Sequence, residues 1–253
     1  MAILSHRHHH WAYVWIPAFG AFIWFGTLLS MLLTWVGTGT PRYPSEDGTI
    51  PYISDIGASF LKPLFIAGCA VTAVAFVTTL VLERLLRHNG RLHASLRRRE
   101  SVFSYLAILG SFIGGMGLIL LSIFDTLRHQ SAHRVFLLVF MVGVALSAIF
   151  TIIEFRWLSK DYQYAAQLRR AYIAKAIIAS ALIILAIAFA ICLWRSKNAG
   201  GVLEWVIAMG FTLYLLTFVY DLRMSKGIHK HELSEQRLVN GSGNGHGRDM
   251  SYA

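Results

Sequence analysis

Asp125, His129 and His133 recur at steps of four residues in the segment Asp125-Thr126-Leu127-Arg128-His129-Gln130-Ser131-Ala132-His133-Arg134. On a continuous helix that spacing puts all three on one face. A carboxylate beside two imidazoles can bind a metal ion, exchange protons with a substrate or hold a lipid headgroup. It can equally be a hydrogen-bond cluster that pins two helices together, which is the expected role. A second string, Ile50-Pro51-Tyr52-Ile53-Ser54-Asp55-Ile56-Gly57, carries Ser54 and Asp55, either of which can cap a short helix. If the two segments meet, Ser54, Asp55, Asp125, His129 and His133 form one polar cluster. Its expected work is pinning or headgroup contact; the alternative is catalysis by Asp55, Asp125, His129 and His133. No nucleotide loop, serine elbow, His-Glu-x-x-His or Cys-x-x-Cys occurs. Cys69 and Cys192 sit in apolar runs and read as packing residues. No metal and no other cofactor is expected.

Composition decides what must position these residues. Of 253 residues, 56% are hydrophobic and only 14% charged, with a mean hydropathy of +0.55. Soluble domains carry about 25% charged residues, so this chain cannot cover a water-soluble globule. An ordinary soluble enzyme, a disordered protein and a nucleic-acid-binding module are excluded. A membrane-spanning helix needs about 20 apolar residues. Six segments qualify: Trp11–Val36, Pro63–Leu82, Val102–Phe124, Val135–Phe155, Ala171–Trp194 and Val202–Tyr220. The first is too long an apolar stretch for a cleaved signal peptide. Backbone groups in lipid must bond internally, which makes each run a helix. The fold class is therefore an all-α integral membrane protein, a bundle of six transmembrane helices. Trp11, Trp15, Trp35, Trp157, Trp194 and Trp205 fall at span ends, as an interfacial belt requires, whereas Trp24 falls near mid-span. Pro17 is expected to kink the first helix. Gly110 and Gly114 form a Gly-x-x-x-Gly step, with Gly115 and Gly117 following, and should let two helices of the same bundle approach closely.

Six spans place both flanking segments on one side, and the basic residues choose it. Seventeen of the 23 Lys and Arg fall on that side and six on the other. The positive-inside rule therefore expects both termini in the cytosol. The net charge of +10 is accounted for by topology and by attraction to anionic phospholipids, with no nucleic acid required. Arg84, Arg87, Arg91, Arg97, Arg98 and Arg99 in the second-to-third connection, with Arg169 and Arg170 before the fifth span, are the expected contacts to anionic lipid or to a cytosolic partner. Glu154 and Asp221 lie near the cytosolic boundaries, and Lys175 lies near enough to snorkel to the interface. No ionisable residue occupies mid-span, which argues against a pore or proton relay. The division expected is an arm at 1–10, a six-span domain at 11–224 and a largely disordered Gly-, Ser- and Asn-rich tail at 225–253. The His8-His9-His10 run reads as a polar arm. Asn240-Gly241-Ser242 matches a glycosylation acceptor that a cytosolic tail would keep from the transferase.

The Pro51–Gly57 string before the second span, and Phe124-Asp125-Thr126 followed by His129 and His133 after the third, resemble the FRAG/DRAM/SFK family of six-span membrane proteins. That family includes damage-regulated autophagy modulators, fungal suppressor-of-four-kinase proteins and GPI-anchor lipid-remodelling factors. The resemblance covers about residues 11–224. Where many members carry Pro-Glu at the start of the second span, this chain reads Leu61-Lys62-Pro63, and Arg134 stands where an acid often follows the second histidine. The basic cytosolic loops look most like the fungal branch. The resemblance implies a non-enzymatic lipid-organisation factor or scaffold, favoured at the plasma membrane. It would be linked to anchoring of a phosphoinositide kinase complex and to leaflet lipid asymmetry. The alternatives it implies are a GPI-anchor or sphingolipid remodelling enzyme or accessory, and an autophagy-linked endolysosomal protein; Golgi or ER membranes fit those readings. The sequence leaves the oligomeric state open.

Overall fold

The computed structural model describes residues 12–89, 91–92, 98–161, 166–223 and 225. A 3-10 turn at Ala12–Val14 leads into α1 (Trp15–Gly37). A short α2 (Ile53–Gly57) precedes α3 (Lys62–His88), α4 (Arg98–Ile123), α5 (Gln130–Asp161), α6 (Ala166–Arg195) and α7 (Lys197–Arg223). Six of these helices are long and apolar enough to cross a bilayer, and no strand occurs among the described residues. The chain is thus a helical, multi-pass integral membrane protein. Several helices run past the apolar limits read from sequence: α3 continues to His88 and α5 begins at Gln130. An α-helix satisfies its own backbone, so nothing stops it at the edge of the hydrocarbon.

One face of the bundle is where α1 begins and α7 ends; we call it proximal, and the face carrying residues 38–61 distal. Tyr13 and Ser225 join the two ends of the membrane domain through a 2.7 Å hydroxyl–hydroxyl hydrogen bond. The order of packing is α7 and α3 against α1, α4 against α3, α5 against α4, and α6 against α7. The α4–α5 seam is the tightest, and the α5–α6 seam is loose. Phe76, Phe211, Tyr214 and Phe218 fill the centre with edge-on ring contacts whose centroids lie 5.3–6.3 Å apart, the spacing aromatic quadrupoles favour.

One sequence expectation changes here. Pro17 falls in the first turn of α1, where the amide it lacks has no intrahelical acceptor in any helix, so it removes no hydrogen bond and requires no kink. Trp24, set apart from the belt by its mid-span position, faces the core. It is buried, its ring stands edge-on to Phe211, and its indole N–H donates to the Ala208 carbonyl at 2.8 Å, tying α1 to α7.

Candidate functional site

At the distal face, α4 stops at Ile123 and α5 starts at Gln130. Asp125, His129 and His133 therefore do not share one continuous helical face. The break is local chemistry: the Asp125 Oδ1 accepts the Arg128 backbone N–H at 2.7 Å, offering the chain a turn in place of the helix. The other carboxylate oxygen of Asp125 accepts from the Lys62 ammonium at 2.5 Å, linking α3 to the turn. His133 is buried, and its Nδ1 lies 2.8 Å from the Leu121 carbonyl and 3.0 Å from that of Phe124. These are carbonyls the end of α4 leaves without helical donors. His129 is exposed and stands edge-on to Phe124.

Asp55 does its capping from inside α2. Its Oδ2 accepts the Tyr52 N–H at 3.0 Å and its Oδ1 accepts from the Ser45 hydroxyl at 2.7 Å. Ser54 is buried beside it and contributes its carbonyl to the Ala58 N–H. Asp55 and Asp125 both act electrostatically on His133, so the two strings lie on one side of the bundle. Among the described residues no group of His, Cys, Asp or Glu side chains has the geometry to hold a metal ion.

Burial pushes the Asp55 carboxyl above the usual range; Glu46 and Asp47 add to this, while the Ser45 and Tyr52 bonds oppose it. Burial also acts upward on Asp125, but the Lys62 bond and charge and the Arg128 contacts outweigh it and hold that carboxyl below its ordinary value. The signs of their linkage to folding are opposite. A depressed folded value gives stability that is present above the unfolded carboxylate value, about 3.9, and lost as pH falls through the folded one. Asp55, raised, contributes stability that is lost as pH rises. We expect the melting temperature in detergent to fall more steeply below about pH 4 for the parent than for Asp125→Asn. Parallel pH profiles would remove the Lys62–Asp125 pair as a stabilising contact.

The proximal half holds an ionic layer that sequence reasoning missed. Lys175 on α6 is 1% exposed and donates to Asp221 on α7, itself 1% exposed. Lys175 also lies 3.5 Å from the Phe218 ring centroid and 4.5 Å from that of Phe155. It does not snorkel, because a carboxylate and two aromatic faces receive its charge inside the bundle. Arg87 is likewise turned inward: it donates to Glu83 at 2.6 Å, approaches Glu154 at 3.6 Å and lies over the Phe155 ring at 4.7 Å. It is placed to join α3 to α5, away from headgroups. The legible signals were the i, i+4 spacing of Glu83 and Arg87 and the single charges Glu154 and Lys175 beside apolar runs.

Other basic residues stay at the periphery. Arg98 and Arg170 are exposed. Arg84 bonds Ser101 at 3.0 Å and lies over Tyr105 at 5.0 Å, Arg91 lies over Tyr13 at 5.7 Å, and Arg99 stacks 3.7 Å from the Trp157 ring. Arg97, the 1–10 arm and residues 226–253 lie outside the described residues, as does the side chain of Arg169.

Between the two polar layers runs an apolar groove of about 100 Å³ along the loose α5–α6 seam. Phe140, Val144 and Ala145 of α5 and Leu182 and Ala186 of α6 form its walls, half-buried rather than sealed. Tyr214 closes its deep end and Glu204 stands at its distal end. The Oε2 of Glu204 accepts the Ile53 N–H at 2.7 Å, capping α2.

With this geometry in place, comparison with known proteins is informative. Residues 12–225 match the family model described as the Frag1/DRAM/Sfk1/Cwh43P N-terminal domain. The chain is 30% identical over 220 residues to "Protein sfk1" of Schizosaccharomyces pombe, a stretch covering 86% of this chain and 66% of that protein. It is 29% identical over 185 residues to "Protein SFK1" of Saccharomyces cerevisiae, covering 60% of this chain and 51% of that protein. The chain thus spans about two thirds and about half of the lengths of these relatives. No solved structure matches it. A match that takes in all six spans and both distal strings makes the chain a member of the Frag1/DRAM/Sfk1 family.

Proposed function

We propose that this protein is a lipid-organisation factor and scaffold of the plasma membrane. Its proximal face is turned to the cytosol, where it gathers anionic phospholipids and holds a phosphoinositide kinase complex. One observation carries the reading: the basic residues divide into two sets. Arg87 and Lys175 are spent on carboxylates inside the bundle, whereas Arg98 and Arg170 are exposed at the proximal ends of α4 and α6. Charges kept outside the internal network, on the side with seventeen of 23 basic residues, suit an anionic leaflet. The similarity to proteins named sfk1 supports the same reading. At the distal face Asp125 and His133 are committed to closing the α4–α5 turn, which favours a structural role for them over catalysis.

Each basic residue near an anionic leaflet contributes about 1 kcal/mol, roughly a fivefold change in lipid enrichment. We expect Arg98→Gln with Arg170→Gln to lower co-purification of phosphoinositides from native nanodiscs, and the loss to shrink as salt shortens the screening length. Unchanged lipid content in a normally inserted double variant would leave these arginines with topology alone.

A further inference from the structure

Glu83 and Arg87 of α3, Glu154 of α5, Lys175 of α6 and Asp221 of α7 converge inside the proximal half of the bundle. None of them is more than 4% exposed. Three are acids and two are cations, so this group has one carboxyl too many for its internal counter-charges. The geometry identifies the odd one. Lys175 donates to Asp221, and the Nη2 of Arg87 donates to Glu83 at 2.6 Å. Glu154 is the third acid. Its Oε1 stands 3.6 Å from the Arg87 Nε, beyond hydrogen-bond range, and has no hydrogen-bond partner.

The surrounding charges do not make up for the missing bond. Arg87 attracts an ionised Glu154, but Glu83, bonded to the same guanidinium, repels it. Lys175 also acts on Glu154, with its charge already committed to Asp221. Arg84, a further cation acting on it, is half-buried, bonds Ser101 and lies over Tyr105. On α4, buried Glu100 can only repel, Arg98 is exposed and Arg99 stacks on Trp157. Arg156 and Arg170 are exposed, and the Tyr214 hydroxyl of α7 is neutral. A buried carboxylate without a hydrogen-bonded cation of its own is costly, and it escapes that cost by taking up a proton.

We infer that Glu154 is a proton-binding site, a neutral carboxylic acid at neutral pH in a layer that holds cations for two acids. Release of the proton sets a second carboxylate in competition with Glu83 for Arg87, the side chain placed to join α3 to α5. The proximal end of the bundle thereby gains a pH-sensitive contact, whichever compartment it faces. An unfolded glutamate loses its proton near about pH 4.3. A folded state that keeps the proton to higher pH is stabilised by it, and loses that stability as pH rises.

Infrared spectra of the whole protein test this in a maltoside detergent, which has no carbonyl of its own. At neutral pH the difference between parent and Glu154→Gln is expected to contain a carboxylic C=O band that shifts down in heavy water. Taking the difference removes the other carboxyls. Glutamine is a neutral isostere of the protonated acid, so the two proteins should melt together at neutral pH. As pH is raised the parent should lose the band and its melting temperature should fall ahead of the variant's. Should the glutamine variant fail to fold, Glu154→Met supplies the same difference spectrum. A difference made of carboxylate bands alone overturns the inference. So do parallel melting profiles against pH, or a folded Glu154→Gln protein that melts well below the parent at neutral pH.

Discussion

Replacing Lys175 by methionine should cost about 3–5 kcal/mol of stability, because it leaves the Asp221 carboxylate buried without its counter-charge. Both side chains are 1% exposed, so neither water nor lipid headgroups can replace the lost partner. Replacing both residues is expected to cost far less. Lys175→Met with Asp221→Leu removes two desolvated charges at once and presents apolar surface to Phe155 and Phe218, which already line the position. A double-mutant cycle, read as melting temperatures in detergent, measures the coupling directly. Additive losses would mean that the two side chains do not depend on each other, and the ionic layer would lose its central contact.

The second large effect lies in the α4–α5 seam. A Cβ built on Gly143 would stand 2.5 Å from the Gly114 nitrogen and 2.6 Å from its Cα. A Cβ on Gly114 would in turn meet the Val144 nitrogen at 2.9 Å. These obstacles are backbone and cannot swing aside. Gly143→Leu must push the helices apart and undo the close approach that holds membrane helices together. We expect a loss at the upper end of about 1–3 kcal/mol, or beyond it. Gly115 is the control in the same run: its Cβ would make ordinary contact with Ala73 at 3.4 Å. Gly115→Ala should be neutral or stabilising, since alanine is the better helix former. Equal destabilisation by the two changes would refute the close-approach account.

The six helices were legible because lipid leaves the backbone few choices: long apolar runs had to be self-bonded helices. The small-residue steps on α4 were legible too, though not their partner Gly143, since nothing in a sequence says which helix lies opposite. Reading stopped where a side chain has two ways to satisfy one need. Lys175, near a boundary, can snorkel outward or pair inward. The choice falls to Asp221, which the fold brings beside it from 46 residues away. The regular spacing of Asp125, His129 and His133 suggested one face, but the Asp125 carboxylate can take the Arg128 amide and end the helix first. The groove left no motif. It comes from what α5 and α6 fail to fill, and its one acidic lining residue, Glu204, looks in sequence like an ordinary acid near a span end.

The ionic layer also constrains how the chain can be made. Glu83 and Arg87 are one turn apart and can enter the membrane already paired. Lys175 cannot: its partner is 46 residues further on, which at about 5–20 residues per second is a wait of roughly 2–9 s during synthesis. In that interval the ammonium lacks its hydrogen-bonded carboxylate, and snorkelling to the interface is the way it keeps its hydration. The inward turn of Lys175 therefore waits for α7, and the ionic layer closes only after that helix has entered the bundle.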